Sequence, residues 1–170
     1  LMIVRSTNWQ TYRQIMINGY SNALERSLIV SLSSAYWATV DPATYSPHIL
    51  SDPLAGGTSK RVLMQIGIGD TQVANIATYA QARTMGMPLI TPSPTTPYGL
   101  NELSAPQDSG LVIFQIPGAE AQPPGTRDPG DNNPAHEGVR RNASGTAQIV
   151  AFLQADGRVE QTCDGACDPE

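Results

Sequence analysis

Apolar positions along the chain follow two rhythms. Leu24, Leu28, Leu32 and Ala35 recur at helical spacing, with Ile29 and Tyr36 beside them, so the pattern predicts a helix over 21–37. Ser21 is its expected N-cap. Asp41-Pro42 ends it, because the residue before a proline avoids the helical region. A shorter helix is expected over 8–18, closing near Gly19. Asp41 to His48 reads as a compact turn and Asp52 to Lys60 as a Gly/Pro/Ser-rich loop. The rhythm then changes. Val62 to Ile66 is apolar except for Gln65, too short for a helix and bounded by breakers; it reads as a buried strand. A helix is predicted at about 73–85, with Val73, Ile76, Ala77 and Ala80 on one face and Gly86 as its C′ residue. Residues 87–109 hold five prolines and little periodicity, so a long loop is expected. Leu111 to Ile116 is a second buried strand, 117–135 another loop, and 143–155 a final helix stopped by Gly157. Two apolar strands separated by a helix imply an α/β fold with a parallel sheet covered on both faces. Two strands do not complete such a sheet. The remaining strands are expected from residues before Leu1 or from another chain.

Composition narrows the partners. The net charge is −5 over 170 residues and there is no basic stripe, which argues against a nucleic-acid partner. No apolar run approaches the ~18 residues of a membrane span. No basic, then apolar, then small-residue leader opens the chain, so no signal peptide is expected within it. The first residue is Leu1 rather than Met, as a processed or truncated chain would give. Fourteen prolines and 15 glycines point to long connections without implying disorder. Cys163 and Cys167 are the only cysteines. Two ligands with no nearby histidine do not make a metal site, so a short disulfide loop turning at Gly165 is expected. That places the protein in an extracellular or periplasmic compartment.

The candidate chemistry lies just past the strands. Gly67-Ile68-Gly69-Asp70-Thr71-Gln72-Val73 follows the first, and His136 follows the second after a Pro/Gly-rich loop. An acid and a histidine at the ends of successive strands are two members of a nucleophile–base–acid triad. These residues resemble the α/β-hydrolase family, whose triad acid sits in a G-x-x-D-x-x-V/P turn and whose histidine precedes the last helix. The resemblance covers about residues 55 to 157. The interval from Asp70 to His136 is long for the family, because the 87–109 and 117–135 loops are expanded. It implies the C-terminal part of an α/β-hydrolase sheet over 55–157, preceded by lid-like helices over 1–54 and followed by a tail over 158–170. It further implies an esterase- or lipase-like serine hydrolase of small ester or lipid substrates, working through an acyl-enzyme without a cofactor. Asp70 would orient His136, which would take a proton from the nucleophile and return it to the leaving group. Histidine ordinarily titrates near pH 6.5, which suits that exchange. No Gly-x-Ser-x-Gly elbow occurs. Ser33-Ser34 falls in a helix and Ser144-Gly145 lacks a preceding strand. The nucleophile and oxyanion hole would therefore come from a missing N-terminal half, which is the expected partner, and this chain alone would be inactive.

Plainer readings stand beside this one. Asp70 can serve simply as a helix N-cap, and His136 can be a solvated loop residue; the chain is then a non-catalytic binding or interaction module. That reading expects no contact between them, so a separation of ~3 Å would count against it. His48 sits in a Pro-flanked turn and reads as structural. Asp128-Pro-Gly-Asp131-Asn132-Asn133 is oxygen-rich but lacks the spacing of a calcium loop. Glu137, Arg140 and Arg141 flank His136 and read as solvated surface, with an arginine pairing to Asp131 or Glu137. Gly67 and Gly69 start a dinucleotide fingerprint, but position 72 is Gln. A flavodoxin-like anion site at Thr71 would be repelled by Asp70.

Overall fold

A computed structural model describes residues 5–122 and 130–168. A 3-10 turn at Thr7–Trp9 leads into α1 (Gln10–Gly19) and α2 (Ala23–Trp37). The N-cap of α2 is Asn22 rather than Ser21: its side chain accepts from Leu24 N–H at 2.8 Å. The expected turn at 41–48 is two single-turn helices, α3 (Pro42–Tyr45) and α4 (Pro47–Leu50). Asp41 caps α3 by accepting from Ala43 N–H, with proline at the first helical position.

Beyond the helices lies a four-stranded parallel sheet. Its strands are β1 (Leu63–Gly67), β2 (Leu89–Thr91), β3 (Glu102–Ser104) and β4 (Gly110–Phe114), in the spatial order β1-β4-β2-β3. The class is α/β, as the pattern implies. Two expectations are corrected. Residues 87–109 are not all loop, because they contain β2 and β3. Two further strands are thus supplied by the chain itself rather than by residues before Leu1 or another chain. Each is only three residues long, and a cis proline follows closely, at Thr91-Pro92 and Ala105-Pro106.

β4 is buried along its whole length, and its side chains alternate between two cores. Val112 and Phe114 meet Ile90, Ile116, Ala135, Val139, Val159 and Phe152 on one face. Leu111 and Ile113 meet Ile66, Ala82, Met85, Met87, Leu89 and Tyr79 on the other. The second face is covered by α5 (Asn75–Met85), which ends on Gly86 in the left-handed region, as expected. The inward residues of α5 are Thr78, Ala82 and Met85, however, and Ile76 is exposed; the predicted face is rotated out. The first face is covered by α6 (Ala135–Arg141) and α7 (Ala143–Phe152). Gln65, the polar exception in β1, donates to Gly145 C=O and to Gln148 Oε1 on α7.

The tail returns across the sheet. Val159 pairs with Gln107, and Cys167 C=O accepts from Gln115 N–H at 2.7 Å. Cys163 and Cys167 form a disulfide, which is compatible with an oxidising compartment. No helix among the described residues is long and apolar enough to cross a membrane.

Candidate active site

β1 and β4 are adjacent and parallel, with Gly67 in register with Phe114, so both strands reach the same sheet edge together. In open α/β sheets this carboxyl edge is where ligands bind. Asp70 lies three residues past β1. His136 lies in the first turn of α6 rather than in open loop. Nδ1 of His136 meets Oδ2 of Asp70 at 2.8 Å, with the side chains only 19% and 6% exposed. The structure therefore brings together the two residues singled out from the sequence.

Local chemistry explains how each is placed. Gly67 admits the start of α6, since a Cβ there would come within 2.8 Å of Ala135 C=O. Gly69 has φ +75°, and a Cβ on it would collide with the Glu120 carbonyl. The two glycines thus serve close packing at the site. Asp70 Oδ1 accepts from Gln72 N–H at 2.8 Å and Val73 N–H at 2.9 Å. Asp70 consequently caps the turn before α5 and not the helix itself, whose N-cap position is Ala74. Its two oxygens divide the work, one holding the backbone and the other the imidazole.

An ionised carboxylate only accepts hydrogen bonds, so the proton between the pair sits on Nδ1 and the lone pair of the neutral ring on Nε2. Nε2 has no hydrogen-bond partner among the described residues. Ser33 and Ser34 donate to carbonyls within α2, at Val30 and Ser31, and both cysteines are in the disulfide. Among the described residues no serine or cysteine is hydrogen-bonded to the ring.

Four further residues complete the site, of which the sequence marked only Asn133, as part of the oxygen-rich loop. Asn75 accepts from Gly69 N–H and donates to Gly67 C=O, both at 2.8 Å. Asn133 donates to Gly69 C=O at 2.7 Å and accepts from Ala135 N–H at 3.1 Å. Ser6 Oγ donates to Gln72 C=O at 2.5 Å, and Thr7 N–H to Thr71 C=O at 2.8 Å. Thr71, the anchor of the anion-site alternative, is buried with its hydroxyl unpartnered.

The remaining candidates sit apart. His48 pairs with Asp52 one turn along the chain, at 3.2 Å. Glu137 is shared by exposed Arg140 and Arg141, at 3.2 and 3.8 Å. Of the oxygen-rich loop, Asp128 lies outside the described residues, and Asn132 accepts from the Thr7 hydroxyl at 2.6 Å. Among the described residues no group of three metal-ligating side chains gathers. The chain matches no family model, and no curated protein or solved structure matches it.

Proposed function

We propose that this chain supplies the acid and base of a serine hydrolase of the α/β-hydrolase type, with the nucleophile carried on a segment outside it. The observation that carries this reading is the Asp70–His136 hydrogen bond at the carboxyl edge of adjacent parallel strands, with Nε2 left without a partner among the described residues. Asp70 fixes the tautomer and stabilises the imidazolium formed during attack; His136 accepts the serine proton and returns it to the leaving group. The reaction is ester hydrolysis through an acyl-enzyme, on a small ester or lipid. Residues 1–54 act as a lid or wall of the acyl pocket, a role supported by the apolar, exposed side chains of α2. The disulfide favours an extracellular or periplasmic setting.

One observation favours the non-catalytic alternative: Asp70 already has a structural task in the turn at Gln72 and Val73. The Asp70–His136 hydrogen bond at 2.8 Å, which a binding module does not expect, counts against it. The two readings separate in the full-length protein. The reading frame upstream of Leu1 should encode a strand followed by Gly-x-Ser-x-Gly, and the protein should hydrolyse a p-nitrophenyl ester and react with a serine-directed fluorophosphonate. His136→Ala should lower turnover by orders of magnitude at nearly unchanged thermal stability. No upstream elbow, or turnover indifferent to His136, would leave the binding module.

A further inference from the structure

Asp70 and His136 are 66 residues apart, and neither lies in a strand. The β1–β4 ladder aligns the strand ends but does not reach the two side chains. Something beyond the ladder must set their separation to hydrogen-bond distance. One side chain touches both backbones immediately upstream of the pair. Asn133 Nδ2 donates to the carbonyl of Gly69, the residue before Asp70. Asn133 Oδ1 accepts from the N–H of Ala135, the residue before His136. The amide is planar, so its two ends cannot move independently. Gly69 is also gripped from the other side, where its N–H donates to Asn75. Both peptide groups around Gly69 are therefore held, and the one facing α6 is held by Asn133.

We propose that Asn133 is a positioning residue, an amide brace that sets the Asp70–His136 geometry. Its catalytic consequence rests on the hydrolase reading; its effect on the Asp70–His136 hydrogen bond does not. Removing the brace leaves the two backbones free to drift, and a misplacement of about 1 Å is enough to cost about 10²-fold in rate.

The test uses the full-length protein with 15N-labelled histidine. The His136 Nδ1–H resonance is assigned by its loss in His136→Gln, and its exchange rate with water is measured in the parent, Asn133→Ala and Asn133→Asp. The aspartate is isosteric and keeps the acceptor toward Ala135, but it loses the donor toward Gly69. Expected is an exchange-broadened or absent resonance in Asn133→Ala, at a temperature where circular dichroism shows the fold intact, with Asn133→Asp impaired in the same sense. Turnover of a p-nitrophenyl ester should fall about 10²-fold in kcat with KM unchanged. A role confined to loop stability predicts a lower melting temperature with the resonance and kcat of the folded protein unmoved, and that result overturns the proposal. If Asn133→Ala does not fold, Asn133→Asp decides by the same criteria. Turnover indifferent to His136→Ala would sink the hydrolase reading while the resonance still judges the brace. Turnover abolished by His136→Ala but insensitive to both Asn133 variants, with the resonance retained, would sink the brace alone.

Discussion

Asp70 does two things with one carboxylate, and the substitution that separates them changes a single heavy atom. In Asp70→Asn the remaining oxygen can still accept from Gln72 and Val73, but the new NH2 faces Nδ1 of His136. A donor there drives the ring proton to Nε2, the wrong tautomer for a base. Asp70→Asn should therefore keep the melting temperature and lower kcat by about 10⁴-fold, the order seen when a triad acid is made neutral. Asp70→Ala removes the turn contacts as well and should destabilise by about 1–3 kcal/mol. Thermal melts beside ester turnover check both. A loss of stability in Asp70→Asn at full activity would make the turn its only task. At this scale the sequence was legible where chemistry and position coincide: an acid after Gly-x-Gly past a strand, and a histidine past the next. Ser6, Thr7 and the reach of Asn133 to Gly69 were not legible, because those partners lie 64 to 66 residues away; Asn133 shows in the sequence only as part of an oxygen-rich loop.

Elements were readable where their pattern is long. β1 and β4 each carry a run of apolar residues, and α5 and α7 carry helical periodicity with clear stops. β2 and β3 are three residues each and lie among prolines, too short to show a period. On α5 the apolar pattern puts Ile76 inward, whereas the buried residues are Thr78, Ala82 and Met85 and Ile76 is exposed. Gln65 stood out as polar in a strand, and the structure shows its purpose. Gln148, fully buried on α7, accepts from Gln65 and donates to Glu160 C=O at 2.5 Å. Gln148→Leu should cost about 1–3 kcal/mol, since it leaves the Glu160 carbonyl and one of the two N–H donors of the Gln65 amide without their partner. Adding Gln65→Leu should recover part of that cost, a coupling read from a double-mutant cycle in urea. On α5, burial pushes the Tyr79 phenol up to about 12. The folded state then holds a proton that the unfolded chain releases near pH 10. The contribution is complete below pH 10 and is lost as pH rises toward 12. The urea midpoint should fall more steeply between pH 10 and 12 in the parent than in Tyr79→Phe; equal slopes would count against a buried phenol.

For the molecule as a whole, the question is what covers its apolar outside. Leu24, Leu28 and Leu32 follow one another on one face of α2 and are 68, 55 and 69% exposed, with Tyr36 at 87% and Trp37 at 60% close by. No residue of α2 is buried, so the periodicity that predicted the helix is not spent on this chain's own core. β1 adds a second surface, for among the described residues it pairs with β4 alone and forms one edge of the sheet. An apolar helix face and a free strand edge on one chain favour association. Under the proposed function, the segment that carries the nucleophile would cover both, a further strand adding to β1 and the substrate-binding part meeting α2. The 170-residue chain by itself should then self-associate, eluting above its monomer mass in size-exclusion chromatography with light scattering. Replacing Leu24, Leu28 and Leu32 together by Gln should reduce that association without changing the circular dichroism of the α/β core, because none of the three is buried in it. The same triple change in the full-length protein should raise KM for a long-chain ester more than for an acetate if the α2 face lines the acyl pocket. A 170-residue chain that stays monomeric at high concentration, together with an unchanged chain-length preference, would mean that α2 is satisfied in water and that its apolar row serves neither partner nor substrate.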